Sequence, residues 1–99
     1  MKTILVVDDS PLIRKAIRRI IEPLGFSVEE AEDGVAALHR MESGAPVDGI
    51  LLDVEMPKMD GISFLRTLRS RPELPQPPVV MCTTRNTMDI ITASVGVSD

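Results

Sequence analysis

Residues 3–9, Thr3-Ile4-Leu5-Val6-Val7-Asp8-Asp9, decide the fold. A run of mostly β-branched residues without polar alternation reads as a strand buried on both faces, the type found at the centre of a parallel sheet. It stops on two carboxylates. The pattern returns further on, where Val47 to Leu52 forms a second buried-type strand that ends on Asp53.

Between these strands the punctuation is that of alternating elements. Ser10 is an N-cap and Pro11 suits a first helical position, where its missing N–H costs nothing. Ile13, Ala16, Ile17, Ile20, Ile21 and Leu24 then recur at three- and four-residue steps, with Arg14, Lys15, Arg18, Arg19 and Glu22 on the other face. Pro23 and Gly25 end this helix. Phe26 to Ala31 alternates like a half-exposed strand, and Asp33-Gly34 opens a second helix with Val35, Leu38 and Met41 expected inward. After the turn Met56-Pro57-Lys58-Met59-Asp60-Gly61, Asp60 caps a third helix with Ile62, Leu65 and Leu68 inward. The prolines at 72, 75, 77 and 78 form a stiff loop. Val79 to Thr83 is a fourth strand, and Asn86 or Thr87 caps a fourth helix carrying Met88, Ile91 and Val95.

Four strand–helix alternations predict one α/β domain over residues 1–99, a parallel sheet between helices. In such open sheets ligands bind beyond the carboxyl ends of the strands, where the strand order reverses. Asp8, Asp9, Asp53 and Thr83 all stand at such ends.

Composition sets the outer bounds. In 99 residues, 43% are hydrophobic and 26% charged, which fits a folded domain. A net charge of -4 and a pI near 4.9 argue against general nucleic-acid binding, which needs clustered cations. Cys82 has no second cysteine to pair with, so an intrachain disulfide or cysteine-based zinc site is excluded and a reducing compartment is the simpler reading. No apolar run approaches the ~20 residues of a membrane span, and no signal-peptide pattern follows Met1. The chain reads as cytoplasmic.

If the first and third strands are neighbours, three carboxylates share one pocket. Two carboxylates ~4 Å apart repel by roughly 4 kcal/mol at an effective dielectric of ~20, so the cluster must protonate or hold a cation. All-oxygen ligands select a hard ion, and magnesium fits best. Taken singly, each acid has a plainer reading: Asp8 or Asp9 answers a helix dipole, and Asp53 ends a strand. Their coincidence with Thr83 carries the functional reading.

At these residues the chain resembles the receiver domain of response regulators, the CheY-like phosphoacceptors of bacterial two-component signalling. The resemblance rests on Asp8-Asp9, on Asp53-Val54-Glu55-Met56-Pro57-Lys58-Met59-Asp60-Gly61 and on Thr83. It implies a flavodoxin-like doubly wound sheet of order 2-1-3-4, with a fifth strand and fifth helix to follow. It also implies that Asp53 accepts a phosphoryl group from a histidine kinase or histidine phosphotransferase, becoming an aspartyl phosphate without being an enzyme in its own right. Mg2+ would be held by Asp9, Asp53 and the main-chain carbonyl of Glu55, with Asp8 acting through water. Thr83 would be the conformational switch. Arg14, Lys15, Arg18 and Arg19 read either as a solvated face or as a docking stripe for the phosphodonor. Glu55 and Arg85 would flank the phosphoryl group, pairing across it or standing as separate solvated charges.

The family pattern continues with a fifth strand, a lysine in a Lys-Pro turn and a fifth helix, none of which lies within these 99 residues. A C-terminally incomplete receiver is therefore expected, its fourth strand an open edge that invites homodimerisation or element exchange. His39 reads as a surface residue, the six methionines as core packing and Cys82 as inert packing. Two other classes are weighed. A haloacid-dehalogenase-like Mg-dependent phosphatase also uses an aspartate nucleophile, but its Asp-x-Asp-x-Thr motif is missing, since Glu55 stands two residues after Asp53. A flavodoxin-like binding module is the other, but the chain lacks the phosphate-cradling loops of a flavin site and a Walker lysine motif.

Overall fold

Four parallel strands form one sheet in the order β2-β1-β3-β4, where β1 is Thr3–Val7, β2 Ser27–Ala31, β3 Gly49–Asp53 and β4 Val79–Cys82. The computed structural model describes residues 1–82. Thr83, Arg85, the expected fourth helix and its Met88, Ile91 and Val95 lie outside the described residues. The strand order matches the expectation, and strand order reverses at β1: the chain steps from β1 to β2 on one side, then returns past it to β3.

The sheet register separates two faces. Leu5, Val7, Ile50, Leu52, Val79 and Met81 share one face, following the pairings Leu5↔Ile50, Val7↔Leu52, Ile50↔Val79 and Leu52↔Met81. Against it pack α2 (Gly34–Glu42) and α3 (Gly61–Arg69), whose Ala37, Met41, Phe64, Leu65 and Leu68 complete the buried core. On the other face lie Val6, Val28, Glu30, Leu51 and Val80, met by α1 (Pro11–Ile21). β1 is buried on both faces, as its sequence requires: Leu5, Val6 and Val7 are each at most 1% exposed.

Helix starts obey the capping signals. The side chains of Ser10, Asp33 and Asp60 accept hydrogen bonds from the N–H of Ile13, Ala36 and Ser63 respectively. Pro23 falls in a 3-10 turn, Glu22–Leu24, and Gly25 follows at φ 98°, a left-handed conformation that suits glycine.

Several inward assignments need correction. α1 has no buried residue: Ile13, Ile20 and Leu24 are exposed, while Ile17 and Ile21 are half-buried. Among the described residues α1 is the only helix on its sheet face, so nothing there covers the far side of its apolar stripe. In α2 the buried side chains are Ala37 and Met41, with Val35 exposed and Leu38 half-buried. Gly34 lies hard against Met59, which sets the rotation of α2 and turns the neighbouring Val35 outward. In α3 the added core residue is Phe64, and Ile62 is only half-buried. Of the described methionines, Met41 is buried and Met56, Met59 and Met81 pack on the core, whereas Met1 is exposed at the terminus. His39 is on the surface, as read.

Edge strand β2 is fastened on both faces by charge. Glu29 takes a two-pronged bond from Arg40 of α2, and Glu30 is held by Arg14 and Arg18 of α1. The alternation Glu29, Glu30 sends one carboxylate to each side of the sheet.

Candidate functional site

The carboxyl edge of β1 and β3 brings the three acids together. Val7 pairs with Leu52, so the next residues, Asp8 and Asp53, leave adjacent strands at the same level. Carboxylate oxygens of Asp8, Asp9 and Asp53 lie within 4.8 Å of one another. Asp8 and Asp53 are half-buried, and Asp9 is exposed.

The electrostatics follow from that crowding. Burial, and then the charge of Asp8, raises the Asp53 carboxyl above the ordinary aspartate value, against hydrogen bonds from the main chain of Val54 and Glu55. Burial also raises Asp8; a hydrogen bond from the Ser10 N–H (2.9 Å) opposes it and the Asp9 charge adds to it. The acids are therefore in mutual conflict. A hard cation resolves the conflict without protonation, and an all-carboxylate donor set of this spacing fits one.

The loop after β3 is built tightly around this edge. Its Met59 N–H donates to the Pro57 carbonyl (2.7 Å), a three-residue turn with Lys58 at φ 66° in the centre. Lys58 is the one non-glycine residue with positive φ among the described residues. Two glycines clamp the loop. Gly34 donates to the Met59 carbonyl (3.0 Å), and Gly61 donates to the Val54 carbonyl (2.9 Å). A Cβ on Gly34 would sit 2.6 Å from the Met59 oxygen.

Beside the acids is a pocket of about 250 Å³ lined by Asp9, Glu32, Asp33, Pro57 and Lys58. Asp33 is buried and faces the Lys58 ammonium at 3.8 Å. The sequence places Asp33 only at the opening of the second helix. The Asp-Gly pairs at 33–34 and 60–61 were the available signal that both helix starts press on the same loop.

Other expectations fall as follows. Glu55 stands on the loop directly after Asp53, exposed. Thr83 and Arg85 lie outside the described residues, so a Glu55–Arg85 pairing does too. Two members of the basic stripe point inward to the fold: Arg14 donates to Glu30 and to the Asp8 carbonyl, and Arg18 to Glu30, Glu22 and the Val28 carbonyl. Lys15 and Arg19 are exposed.

A doubly wound parallel sheet with three converging carboxylates at its switch point is an α/β arrangement whose oxygen donors form a candidate site for a hard cation. The family follows from comparison: residues 4–98 match the response regulator receiver domain, and the chain belongs to that family. It is 44% identical over 78 residues to a gliding motility regulatory protein of Myxococcus xanthus, covering 79% of this chain and 10% of that protein. The chain thus spans about a tenth of that relative's length. Among solved structures it resembles the Vibrio cholerae chemotaxis protein CheY4 with a TM-score of 0.86 and 33% identity, covering 98% of this chain and 80% of that one. It also resembles the response regulator TrrA of Thermotoga maritima, solved in complex with Mg(2+)-BeF, with a TM-score of 0.79 and 29% identity over 98% of this chain and 82% of that one. The flavodoxin-like fold read from the sequence is the observed one. No helix among the described residues is long and apolar enough to cross a membrane.

Proposed function

We propose that this domain, residues 1–99, is the phosphoacceptor of a two-component phosphorelay, with Asp53 receiving the phosphoryl group. The observation that carries the reading is the convergence of the Asp8, Asp9 and Asp53 carboxylates within 4.8 Å at the carboxyl edge of β1 and β3. A divalent cation, Mg2+ by the chemistry of the donors, would be held by Asp9, Asp53 and the Glu55 carbonyl, with Asp8 through water. When bound, it supplies charge neutralisation for the incoming phosphoryl oxygens.

The residues themselves do the rest. An Asp53 carboxylate oxygen attacks phosphorus in line, forming the O–P bond as the P–N bond to the donor imidazole breaks. The imidazole nitrogen keeps the bonding pair and takes a proton. Asp53 is suited to this by position: it ends β3, its backbone rests against Gly61, and its carboxylate lies with those of Asp8 and Asp9. The added group carries about -1.5 to -2 charges and three strong acceptors, which would draw the Thr83 hydroxyl and propagate the signal.

The phosphodonor in this reading is a histidine kinase or histidine phosphotransferase. Lys15 and Arg19 are the members of the basic stripe left exposed for docking, whereas Arg14 and Arg18 are engaged by Glu30. Self-association draws support from the apolar surface of Leu12, Ile13, Ile20, Leu24 and Val80, all exposed. Light scattering at tens of micromolar tests it, and a monomer removes it. A location in the cytoplasm, where such donors present their histidines, belongs to the same proposal.

The test is phosphorylation by a small-molecule phosphodonor with Mg2+, read by mass spectrometry, in the protein and in Asp53→Asn. An acyl phosphate confined to Asp53 and persisting without turnover of further substrate supports a receiver. Continuous release of phosphate would favour the phosphatase class.

A further inference from the structure

We infer that Arg14 is a positioning residue for the acidic site, holding the peptide between Asp8 and Asp9 and so setting the affinity for a divalent cation. The inference rests on the cation-binding reading of that site.

Arg14 leaves the first turn of α1 and lies along the end of the sheet, its side chain only 15% exposed despite its charge. Its guanidinium forks. Nε donates to Glu30 Oε1 (2.9 Å), and Nη1 donates to the main-chain carbonyl of Asp8 (2.6 Å). The Asp8 N–H in turn donates to the Ala31 carbonyl (3.1 Å). Both peptide units flanking the Asp8 α-carbon are thus tied to the end of β2, one by the strand itself and one through Arg14.

The second of these ties matters for chemistry. The carbonyl that Arg14 grips belongs to the peptide leading into Asp9, so rotation of that peptide would swing the Asp9 carboxylate away from Asp8 and Asp53. Asp9 is exposed, and no burial confines it. The Ser10 N–H is held by the Asp8 carboxylate (2.9 Å), which fixes the following turn but leaves the Asp8–Asp9 peptide to Arg14.

Glu30 does not depend on Arg14 alone: Arg18 also pairs with it, Nη2 and Nε each reaching Glu30 Oε2 at 2.9 Å, with Nη2 also bonding the Val28 carbonyl. Ion pairs at the rim of the sheet contribute little to stability, and a second guanidinium on a satisfied carboxylate adds less. What separates Arg14 from Arg18 is the Asp8 carbonyl.

The sign of the charge effect sharpens the test. Removing a cation beside three carboxylates strengthens cation binding by simple electrostatics. Loss of positioning weakens it. Arg14→Met and Arg18→Met each remove one positive charge and an ion pair with Glu30, but only the first frees the Asp8–Asp9 peptide.

Calorimetric titration of the 99-residue protein with magnesium chloride reads the difference. The expected result is about tenfold weaker binding for Arg14→Met, the scale typical of groups that orient metal ligands, and a change within about twofold for Arg18→Met. Thermal melting of both variants without metal shows that each is folded. If Arg14→Met is not folded, Arg14→Gln replaces it, since a glutamine is uncharged and too short to span both acceptors, and the same loss is expected. Unchanged or tighter binding in the Arg14 variant, or an equal loss in both, overturns the inference. Failure of the unmutated protein to bind magnesium, or undiminished binding in Asp53→Asn, would instead remove the reading of the site itself.

Discussion

The main-chain carbonyl of Asp53 lies so close to Gly61 that a Cβ placed on that glycine would be 2.2 Å from the Asp53 oxygen. The residue that opens α3 is therefore also the residue against which the backbone of Asp53 rests. Gly61 is buried at this contact, and its own N–H donates to the Val54 carbonyl at 2.9 Å. The geometry of the acidic site is thus set from behind by backbone packing as well as from the side by Arg14.

Gly61→Ala is expected to cost about 1–3 kcal/mol, the scale of overpacking a filled site, because the listener on the other side is backbone rather than a flexible side chain. It should also weaken magnesium binding by moving Asp53. Gly49→Ala is the comparison, since its Cβ would meet the Ile4 Cδ1 at 3.2 Å, a methyl that can give way, and the Pro78 carbonyl at an ordinary 3.9 Å. Denaturant melts and magnesium titrations of the two variants check this; equal effects would show that the Gly61 contact has no special bearing on the site.

Proton linkage at the acidic cluster has a definite sign. Asp8 and Asp53 have folded-state pKa values raised above the unfolded ones, so the folded protein without metal binds these protons more readily than the unfolded chain. Their contribution opposes folding above the folded-state pKa values and is relieved as pH falls through them. Magnesium should therefore raise the melting temperature at neutral pH, with the gain shrinking in acid as the ligands protonate. Asp53→Asn should raise the melting temperature of the metal-free protein by several degrees and abolish most of the magnesium gain, given about 1 kcal/mol of relieved repulsion and ~4–8 °C per kcal/mol for a chain of this size. Melting curves with and without magnesium across pH check both.

Asp33→Ala should cost about 1–2 kcal/mol. It removes the cap to the Ala36 N–H (2.8 Å) and the buried partner of Lys58. Lys58→Ala removes only an exposed ammonium at 3.8 Å and is expected to change stability by less than about 1 kcal/mol. Equal losses in urea melts would show that the ion pair, not the cap, holds this corner.

Much of this was legible in the sequence because the signals were local. Ser10, Asp33 and Asp60 announced three helix starts, and the buried runs at residues 3–7 and 47–52 announced central strands ending on acids. The strand order itself came from the family resemblance. What sequence periodicity missed was set by contacts distant in the chain. Val35 turns outward and Ala37 inward because Gly34 is pressed on Met59, twenty-five residues later by the numbering. Phe64 joined the core because α3 is seated by Gly61 on Asp53. The stripe Ile13, Ile20 and Leu24 satisfies helical periodicity, yet its burial depends on a neighbour that the described residues do not supply. Arg14 and Arg18 looked like one face with Lys15 and Arg19, and only the reach of Glu30 from β2 divides them.

The most direct measurement of the central claim is peptide mass mapping after incubation with a small-molecule phosphodonor and magnesium. The account predicts a hydroxylamine-labile phosphoryl group on Asp53, absent in Asp53→Asn and lost when magnesium is chelated. A label on another residue, or one on Asp53 that forms equally well without a divalent cation, would contradict it.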